Sequence, residues 1–199
     1  MKVMSTVIPA SSPPRMMQLE DEQLVQQTRQ TPSQFAHLYD RHVTSVYRYL
    51  LAKVGNIQDA EDLTSQTFLE AFENLHRYRG TGDFRAWLFR IARNKSIDHY
   101  RKHRRVVSLL EDDDFVDADM TSPDTAAEQS LALASVMQHL RTLSPDRAEV
   151  VSLRLFAELE VKEIAGTLNK PETAVRMLLH RGIRDLQNRI APATQEKTQ

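Results

Sequence analysis

The segment that decides the fold spans residues 84–105 and reads FRAWLFRIARNKSIDHYRKHRR. It contains no Gly or Pro, and its apolar residues recur at the helical period, so it predicts one long helix. One face of that helix is apolar and consists of Phe84, Trp87, Leu88, Ile91 and Ala92. Another face is polar and consists of Arg90, Asn94, Asp98, Arg101 and Arg105. Cations hold phosphates, amides and carboxylates bond to base edges, and aromatic rings stack on unpaired bases. The segment is therefore either a helix that contacts DNA or an amphipathic helix with one solvated face.

Charge is segregated along the chain, although the net charge is only −1. Residues 76–105 contain ten Arg or Lys against two Asp, whereas residues 111–124 contain seven acids and no base. We expect the basic block to be a binding surface and the acidic run to belong to a separate, flexible segment. Because the total charge is close to zero, the free protein should bind DNA only weakly.

Composition excludes several classes of function. The absence of Cys excludes disulfides, thiolate zinc sites and cysteine nucleophiles. His99 and His103 are four residues apart on a helix, but no third ligand is evident, so we expect no metal site and no cofactor. No Gly-rich phosphate loop or nucleophile elbow is present, so we do not expect an enzyme. No apolar run approaches the roughly 20 residues of a membrane span, so we expect no membrane insertion and a cytoplasmic location.

The N-terminal half predicts a helical domain. Residues 1–19 have no period and read as a disordered leader, and a short polar helix follows over residues 20–30. Residues 31–34 (TPSQ) predict the start of a second helix that Gly55 ends, and Asn56 caps a third helix that runs to about Arg77. The third helix carries a regular polar stripe, which is either a solvated face or a surface that docks on a basic partner. The stripe consists of Asp59, Asp62, Gln66, Glu70 and Glu73.

The C-terminal half predicts a second helical domain over residues 126–190, after a linker over 106–125 and before a tail over 191–199. Two helices, Val161–Leu168 and about Glu172–Ile190, are separated by Asn169-Lys170-Pro171, which is the spacing of a helix-turn-helix. Asn169 stands where the turn needs a residue that tolerates the left-handed conformation. A plain four-helix module is the alternative.

Taken together, these motifs resemble a bacterial sigma-70 factor of the extracytoplasmic-function type (group 4), which is built only from regions 2 and 4. The resemblance rests on residues 60–68 (region 2.2), on residues 84–94 with Asp98 and Arg101 (regions 2.3 and 2.4), and on residues 163–181 (region 4.2). It implies an all-α fold of two small domains, a region 2 bundle over 20–105 and a region 4 helix-turn-helix over 126–190, joined by an acidic flexible linker.

The resemblance also implies a function: a transcription initiation factor that binds core RNA polymerase and promoter DNA and promotes strand opening at the −10 element. It assigns core polymerase binding to Asp59, Asp62, Gln66, Glu70 and Glu73. It assigns −10 DNA binding to Tyr78, Arg79, Trp87, Arg90, Asn94, Asp98, Arg101 and Arg105. It assigns −35 DNA binding to Glu172, Thr173, Arg176, His180 and Arg181. The resemblance also implies an anti-sigma factor as a further partner. It leaves two roles open for Trp87, which either inserts at the junction between duplex and melted DNA or packs in the core.

The chain departs from the family pattern at several positions near the second helix of the helix-turn-helix. Lys170 replaces an apolar residue in the turn, Ala174 replaces a common Thr, and Met177 and Leu178 replace polar residues. Gly182 stands where Ala is common, and we expect it to loosen the helix by about 1 kcal/mol. Two other functions stay open at this point: a helix-turn-helix regulator that binds DNA by itself, and a module that sequesters a partner without touching DNA.

Overall fold

The computed structural model describes residues 20–80, 83–109 and 135–190, and every regular element in these ranges is helical. The predicted leader and tail, and the predicted linker from residue 110 onward, lie outside the described residues. Within the described part of the chain, no helix is long and apolar enough to cross a membrane.

The first unit contains four helices and two short 3-10 turns. The helices are α1 (Asp21–Gln30), α2 (Phe35–Val54), α3 (Ile57–Asn74) and α4 (Phe84–Leu109), and the turns are Pro32–Gln34 and Leu75–Arg77. Helix α2 packs against α3 and α4, and α1 packs along α2. Gly55 ends α2 in the left-handed conformation (φ 74°), and the Asn56 side chain caps α3 by accepting a hydrogen bond from Asp59 N at 3.0 Å. Both signals were predicted from the sequence, and both are confirmed.

The predicted start of the second helix is confirmed in part. Thr31 stands at the N-cap position and Pro32 at the first helical position, as predicted, but the Thr31 side chain makes no capping hydrogen bond. Residues 32–34 form a 3-10 turn that runs directly into α2 at Phe35. Helix α4 continues to Leu109, four residues into the predicted linker. Its continuation is understandable, because residues 106–109 (VVSL) contain no Gly, Pro or other stop signal.

The core of the first unit lies where α2, α3 and α4 meet. The predicted apolar face of α4 is buried at Phe84, Leu88, Ile91 and Ala92, whereas Trp87 is only partly buried. Phe89 is also fully buried, with its ring centroid 5.4 Å from that of Tyr49 on α2. Helix α4 is therefore held by apolar residues on two adjoining faces, which fixes the direction of its polar face.

The second unit is also helical. A helix over residues 135–141 (α5) is followed by α6 (Pro145–Phe156), α7 (Val161–Leu168) and α8 (Glu172–Ile190). Helix α8 packs against α6 and α7. The turn between α7 and α8 has Asn169 in the left-handed conformation (φ 52°, ψ 45°), as predicted. Lys170 fits this turn because its Nζ lies 3.2 Å from Asp146 Oδ2 at the start of α6.

Gly182 has a packing role that the expectation from helix propensity did not include. Gly182 is buried at the crossing of α8 and α6, and a Cβ atom added there would lie 2.7 Å from Val151 Cγ2. Real Cβ contacts are not that short, so the missing side chain is what lets the two helices approach. The glycine therefore permits the close packing of α8 against α6.

Candidate nucleic-acid and partner interfaces

The polar face of α4 is open to solvent. Arg90, Asn94, Asp98 and Arg101 are all exposed, and the side chain of Arg105 lies outside the described part of the structure. Asp98 and Arg101 form an ion pair at 3.7 Å, but both side chains are mostly solvent-exposed. Such exposed pairs contribute well under about 1 kcal/mol, so both groups are available to a ligand.

Tyr78 is the predicted −10 residue that the structure places in the core instead. Only 5% of it is exposed, and its ring packs edge-on against Phe84 with centroids 5.6 Å apart. Its hydroxyl donates to Glu22 Oε1 at 3.3 Å, and Arg29 donates to its carbonyl oxygen. Burial, followed by the negative charge of Glu22, raises the pKa of Tyr78 far above its ordinary value, so the hydroxyl stays protonated. In this conformation the ring offers no face to a base.

Trp87 lies at the edge of this aromatic cluster. Its ring centroid is 5.4 Å from that of Tyr78 and 5.6 Å from that of Phe84, and the residue is partly buried. Trp87 therefore packs against the core while part of its ring remains accessible, so neither of its two predicted roles excludes the other. Arg79, in the same region of the chain, is exposed.

Several cations of the basic block are engaged inside the protein. Arg85 forms a two-pronged contact with Asp83, with Nη2 to Oδ2 at 2.8 Å, and the Arg85 backbone N–H donates to Oδ1 at 2.7 Å. Burial works to raise the pKa of Asp83, but the hydrogen bonds from Arg85 outweigh it and lower the pKa. Lys95 Nζ lies 2.6 Å from Glu70 Oε2. The charge count along the sequence therefore overstates the positive charge that α4 offers to DNA.

The predicted polymerase-binding stripe on α3 divides into two parts. Asp62, Gln66 and Glu73 are exposed and free to meet a partner. Asp59 and Glu70 face α4, where they pair with His99 at 3.5 Å and with Lys95. A cleft of about 360 Å³ between α3 and α4 is lined by residues of both predicted surfaces, namely Leu63, Gln66, Lys95, Asp98, His99, Arg101 and Lys102. The polymerase stripe and the −10 face therefore adjoin.

An exposed apolar patch beside the stripe was missed by the sequence analysis. Leu69 and Phe72 on α3 are 58% and 43% exposed, and Tyr39 on α2 is 41% exposed. The Phe72 ring packs edge-on against Phe35, with centroids 5.1 Å apart. The sequence did contain a signal for this patch, because Leu69 and Phe72 lie three residues apart on α3 and outside its core-facing stripe.

Helix α8 presents a polar outer face. Thr173, Arg176, His180 and Arg181 are exposed, whereas Glu172 is half-buried and pairs with Arg176 at 2.8 Å. Val175 is fully buried and anchors the helix on the core, as predicted. The structure thus brings four of the five predicted −35 residues to one open surface.

The two units contact each other through Glu149 on α6, a residue that the sequence analysis did not identify. Its carboxylate accepts a hydrogen bond from the Tyr49 hydroxyl at 2.8 Å and pairs with Lys53, also on α2. Arg93 Nε on α4 lies 3.4 Å from the same carboxylate, at an ion-pair distance but without hydrogen-bond geometry. Burial and then the charge of Glu149 raise the pKa of Tyr49 well above its ordinary value, so the hydroxyl remains a donor.

A second contact joins α4 to α7. Arg90 Nη2 donates to the Gly166 carbonyl oxygen at 2.6 Å, and Arg85 lies 3.7 Å from Glu158. Burial raises the pKa of Glu163 in this contact, and the nearby Asp83 carboxylate adds to the rise. One of the predicted −10 residues is therefore already in contact with the second unit.

No group of three or more His, Cys, Asp or Glu side chains that could hold a metal comes together among the described residues. In particular, the His99 and His103 rings stack on one another with centroids 5.7 Å apart.

The first unit presents a polar helix face and the second contains a helix-turn-helix, the motif in which many DNA-binding proteins place a recognition helix. Residues 38–106 match the family "Sigma-70 region 2", and residues 133–186 match "Sigma-70, region 4". The chain belongs to the extracytoplasmic-function sigma-70 family.

Individual relatives agree with this assignment. The chain is 37% identical to the ECF RNA polymerase sigma factor BldN of Streptomyces coelicolor over 76% of its own length, but over only 58% of BldN. It is 30% identical to the ECF RNA polymerase sigma factor SigW of Bacillus subtilis, over 78% of this chain and 88% of SigW. Among solved structures, CnrH in complex with the cytosolic domain of CnrY is 25% identical, with a TM-score of 0.66 over 86% of this chain and 97% of CnrH.

Proposed function

We propose that this chain is a transcription initiation factor that directs core RNA polymerase to specific promoters. The observation that carries the proposal is the pairing, in one chain of this family, of the open polar face of α4 with an open helix-turn-helix surface on α8. The chain would act by binding alone, in the cytoplasm where polymerase and promoter DNA meet.

Core polymerase would dock on α3. The exposed Asp62, Gln66 and Glu73 offer acceptors and negative charge to a basic helical surface, and Leu69 and Phe72 offer apolar area beside them. Asp59 and Glu70 would act differently from the earlier expectation. Because they pair with α4, they would hold the −10 helix in position against the docking helix.

Promoter DNA would be read at two places. The exposed residues of α8 would contact duplex bases and phosphates of the −35 element. Arg79, Asn94, Asp98 and Arg101, with the accessible part of Trp87, would hold the −10 element and capture bases that leave the stack. The free energy for strand opening would come from these contacts, because the mechanism involves no covalent step. Tyr78, whose ring packs against that of Trp87, would hold the Trp87 ring in position.

An anti-sigma protein is a further proposed partner. CnrH, which resembles this chain over most of its length, is described in complex with the cytosolic domain of CnrY. We propose that this chain likewise forms a complex with an anti-sigma protein, which would keep it from binding core RNA polymerase.

The test is reconstitution of the full chain with core RNA polymerase on a library of promoter sequences. Promoter-specific transcription is expected, together with weak binding of the free chain to duplex DNA. Neither core binding nor transcription would refute the proposal, and tight, polymerase-independent binding to a duplex operator would favour a stand-alone regulator instead.

Variants of α3 test the docking surface. Asp62→Ala and Gln66→Ala should each weaken core binding while the fold stays intact. Glu61→Ala is a matched control, because Glu61 is an exposed acid on the same helix but outside the stripe. Equal core affinity for all three variants and the unmodified chain would remove the assignment of this stripe.

A further inference from the structure

Met177 is an exposed apolar residue in the middle of the polar face of α8. It is 54% exposed, and it lies one helical turn from Thr173 on one side and from His180 on the other. Its neighbour Leu178 is partly buried and packs against the core, but Met177 does not. Packing within the second unit therefore accounts for Leu178 and leaves the apolar side chain of Met177 without a structural role.

The position of Met177 fits the part of a recognition helix that enters the major groove. It is the sixth residue of α8, and the N-terminal turns of such a helix are the ones that contact base edges. Helix α8 makes its contacts with α6 and α7, and its outer face stays open. The neighbouring Arg176 pairs with Glu172 at 2.8 Å, but its side chain is mostly exposed, so the guanidinium stays available to phosphates beside the groove. Met177 thus stands at the centre of the surface that would face the bases.

The chemistry of the groove selects one base for such a side chain. Adenine, guanine and cytosine present only hydrogen-bond donors and acceptors in the major groove, whereas thymine adds an apolar C5-methyl group. Methionine has no donor, accepts hydrogen bonds only weakly, and has a flexible, polarizable side chain that adapts to apolar surfaces. Contact with a methyl group would remove apolar area of both partners from water. Beside a cytosine amino group, it would leave a polar group poorly paired.

We propose that Met177 is a specificity-determining residue that contacts the C5-methyl group of a thymine in the −35 element. The inference rests on the proposed function, because it requires α8 to read duplex promoter DNA. It would give a role to the exposed side chain of Met177, which packing within the second unit does not explain.

The experiment uses the holoenzyme, the full chain with core RNA polymerase, on a promoter selected from the library. Each −35 thymine on either strand is replaced in turn by deoxyuridine, which removes the methyl group and leaves base pairing unchanged. At one position, promoter affinity should fall about 3- to 5-fold, the effect of one buried methyl group. The Met177→Ala holoenzyme should bind the thymine promoter with an affinity lower by a similar factor. Introducing deoxyuridine should not lower the affinity of this variant further. Met177→Leu should keep most of the sensitivity.

Ile183→Ala provides a matched control. Ile183 is 41% exposed and lies on the same helix about two turns further from its N-terminus, so its loss should leave the deoxyuridine effect unchanged. If deoxyuridine has no effect at any −35 position, or weakens the unmodified chain and Met177→Ala equally, the inference is overturned while promoter recognition itself stands. If the holoenzyme selects no promoter on thymine DNA, the proposed function fails and the inference fails with it.

Discussion

Gly182→Ala should destabilise the protein, against the expectation from helix propensity. In an exposed helix the change would stabilise by about 1 kcal/mol. Here the new Cβ would lie 2.7 Å from Val151 Cγ2 and 3.6 Å from Arg147 Cβ. Valine is β-branched and has one strongly preferred rotamer in a helix, so its methyl group cannot swing aside. The helices must then separate, which also disturbs the ion pair between Arg147 and Asp185.

The magnitude follows from these opposing effects. Overpacking a closely packed site costs about 1–3 kcal/mol, and an overlap with a stiff side chain belongs in the upper part of that range. Subtracting the propensity gain leaves a net loss of about 1–2 kcal/mol in the free energy of unfolding. Gly166→Ala on α7 is the matched control. A Cβ atom there meets nothing within 4 Å, so only the propensity gain of up to about 1 kcal/mol remains.

The measurement is urea unfolding of the full chain followed by circular dichroism, with amide hydrogen exchange to locate the loss in α6 and α8. Val151→Ala combined with Gly182→Ala should cost less than the sum of the two single changes, because the truncated side chain makes room for the new methyl group. A Gly182→Ala protein as stable as the unmodified chain, or more stable, would contradict the packing role assigned to Gly182.

Two further outcomes are expected. Glu149→Gln keeps the size of the side chain but removes the charge that Lys53 and Arg93 pair with, so the two units should separate more often. Small-angle X-ray scattering should then report a larger radius of gyration for the variant than for the unmodified chain. An unchanged radius would contradict the role of this carboxylate. For Asp21, burial works to raise the pKa, but the hydrogen bonds with His42 and Arg41 outweigh it, and the net pKa is lowered. A carboxyl whose pKa is lowered by folding stabilises the protein at pH values above its unfolded pKa of about 3.9, and this stability is lost as the pH falls through the folded pKa. Asp21→Asn should therefore make the decrease in Tm below about pH 4 less steep. An equally steep decrease in the variant would refute this reasoning.

Sequence reasoning succeeded where the determining signal is local. Gly55 ends a helix and Asn169 bends a turn because their own backbone preferences decide the outcome, and both adopt the left-handed conformation. The exposed face of α4 was likewise predictable from its period, because Arg90 and Asn94 lie opposite the buried stripe.

It failed where the answer depends on residues far away in the chain. Tyr78 appeared to be a loop residue beside a DNA-reading helix, but its hydroxyl partner, Glu22, lies 56 residues earlier. Gly182 appeared to be a weak point of a helix, because its neighbour Val151 becomes visible only once α6 and α8 are packed. Glu149 gave no signal at all, since it is one of many acids in the sequence and its partners belong to the other unit.

The Glu149 contact has a consequence for how the chain tolerates change. The hydrogen bond from Tyr49 to Glu149 joins residues that are 100 positions apart, and it closes a loop that includes the whole acidic segment. The entropy of loop closure grows only with the logarithm of length, so each doubling of the loop costs only about 0.6 kcal/mol. Insertions in the acidic segment should therefore hardly alter how the two units meet. Replacement of the one carboxylate that receives Tyr49, Lys53 and Arg93 changes three contacts at once. We therefore expect the chain to tolerate changes in the length of the connecting segment but not replacement of Glu149.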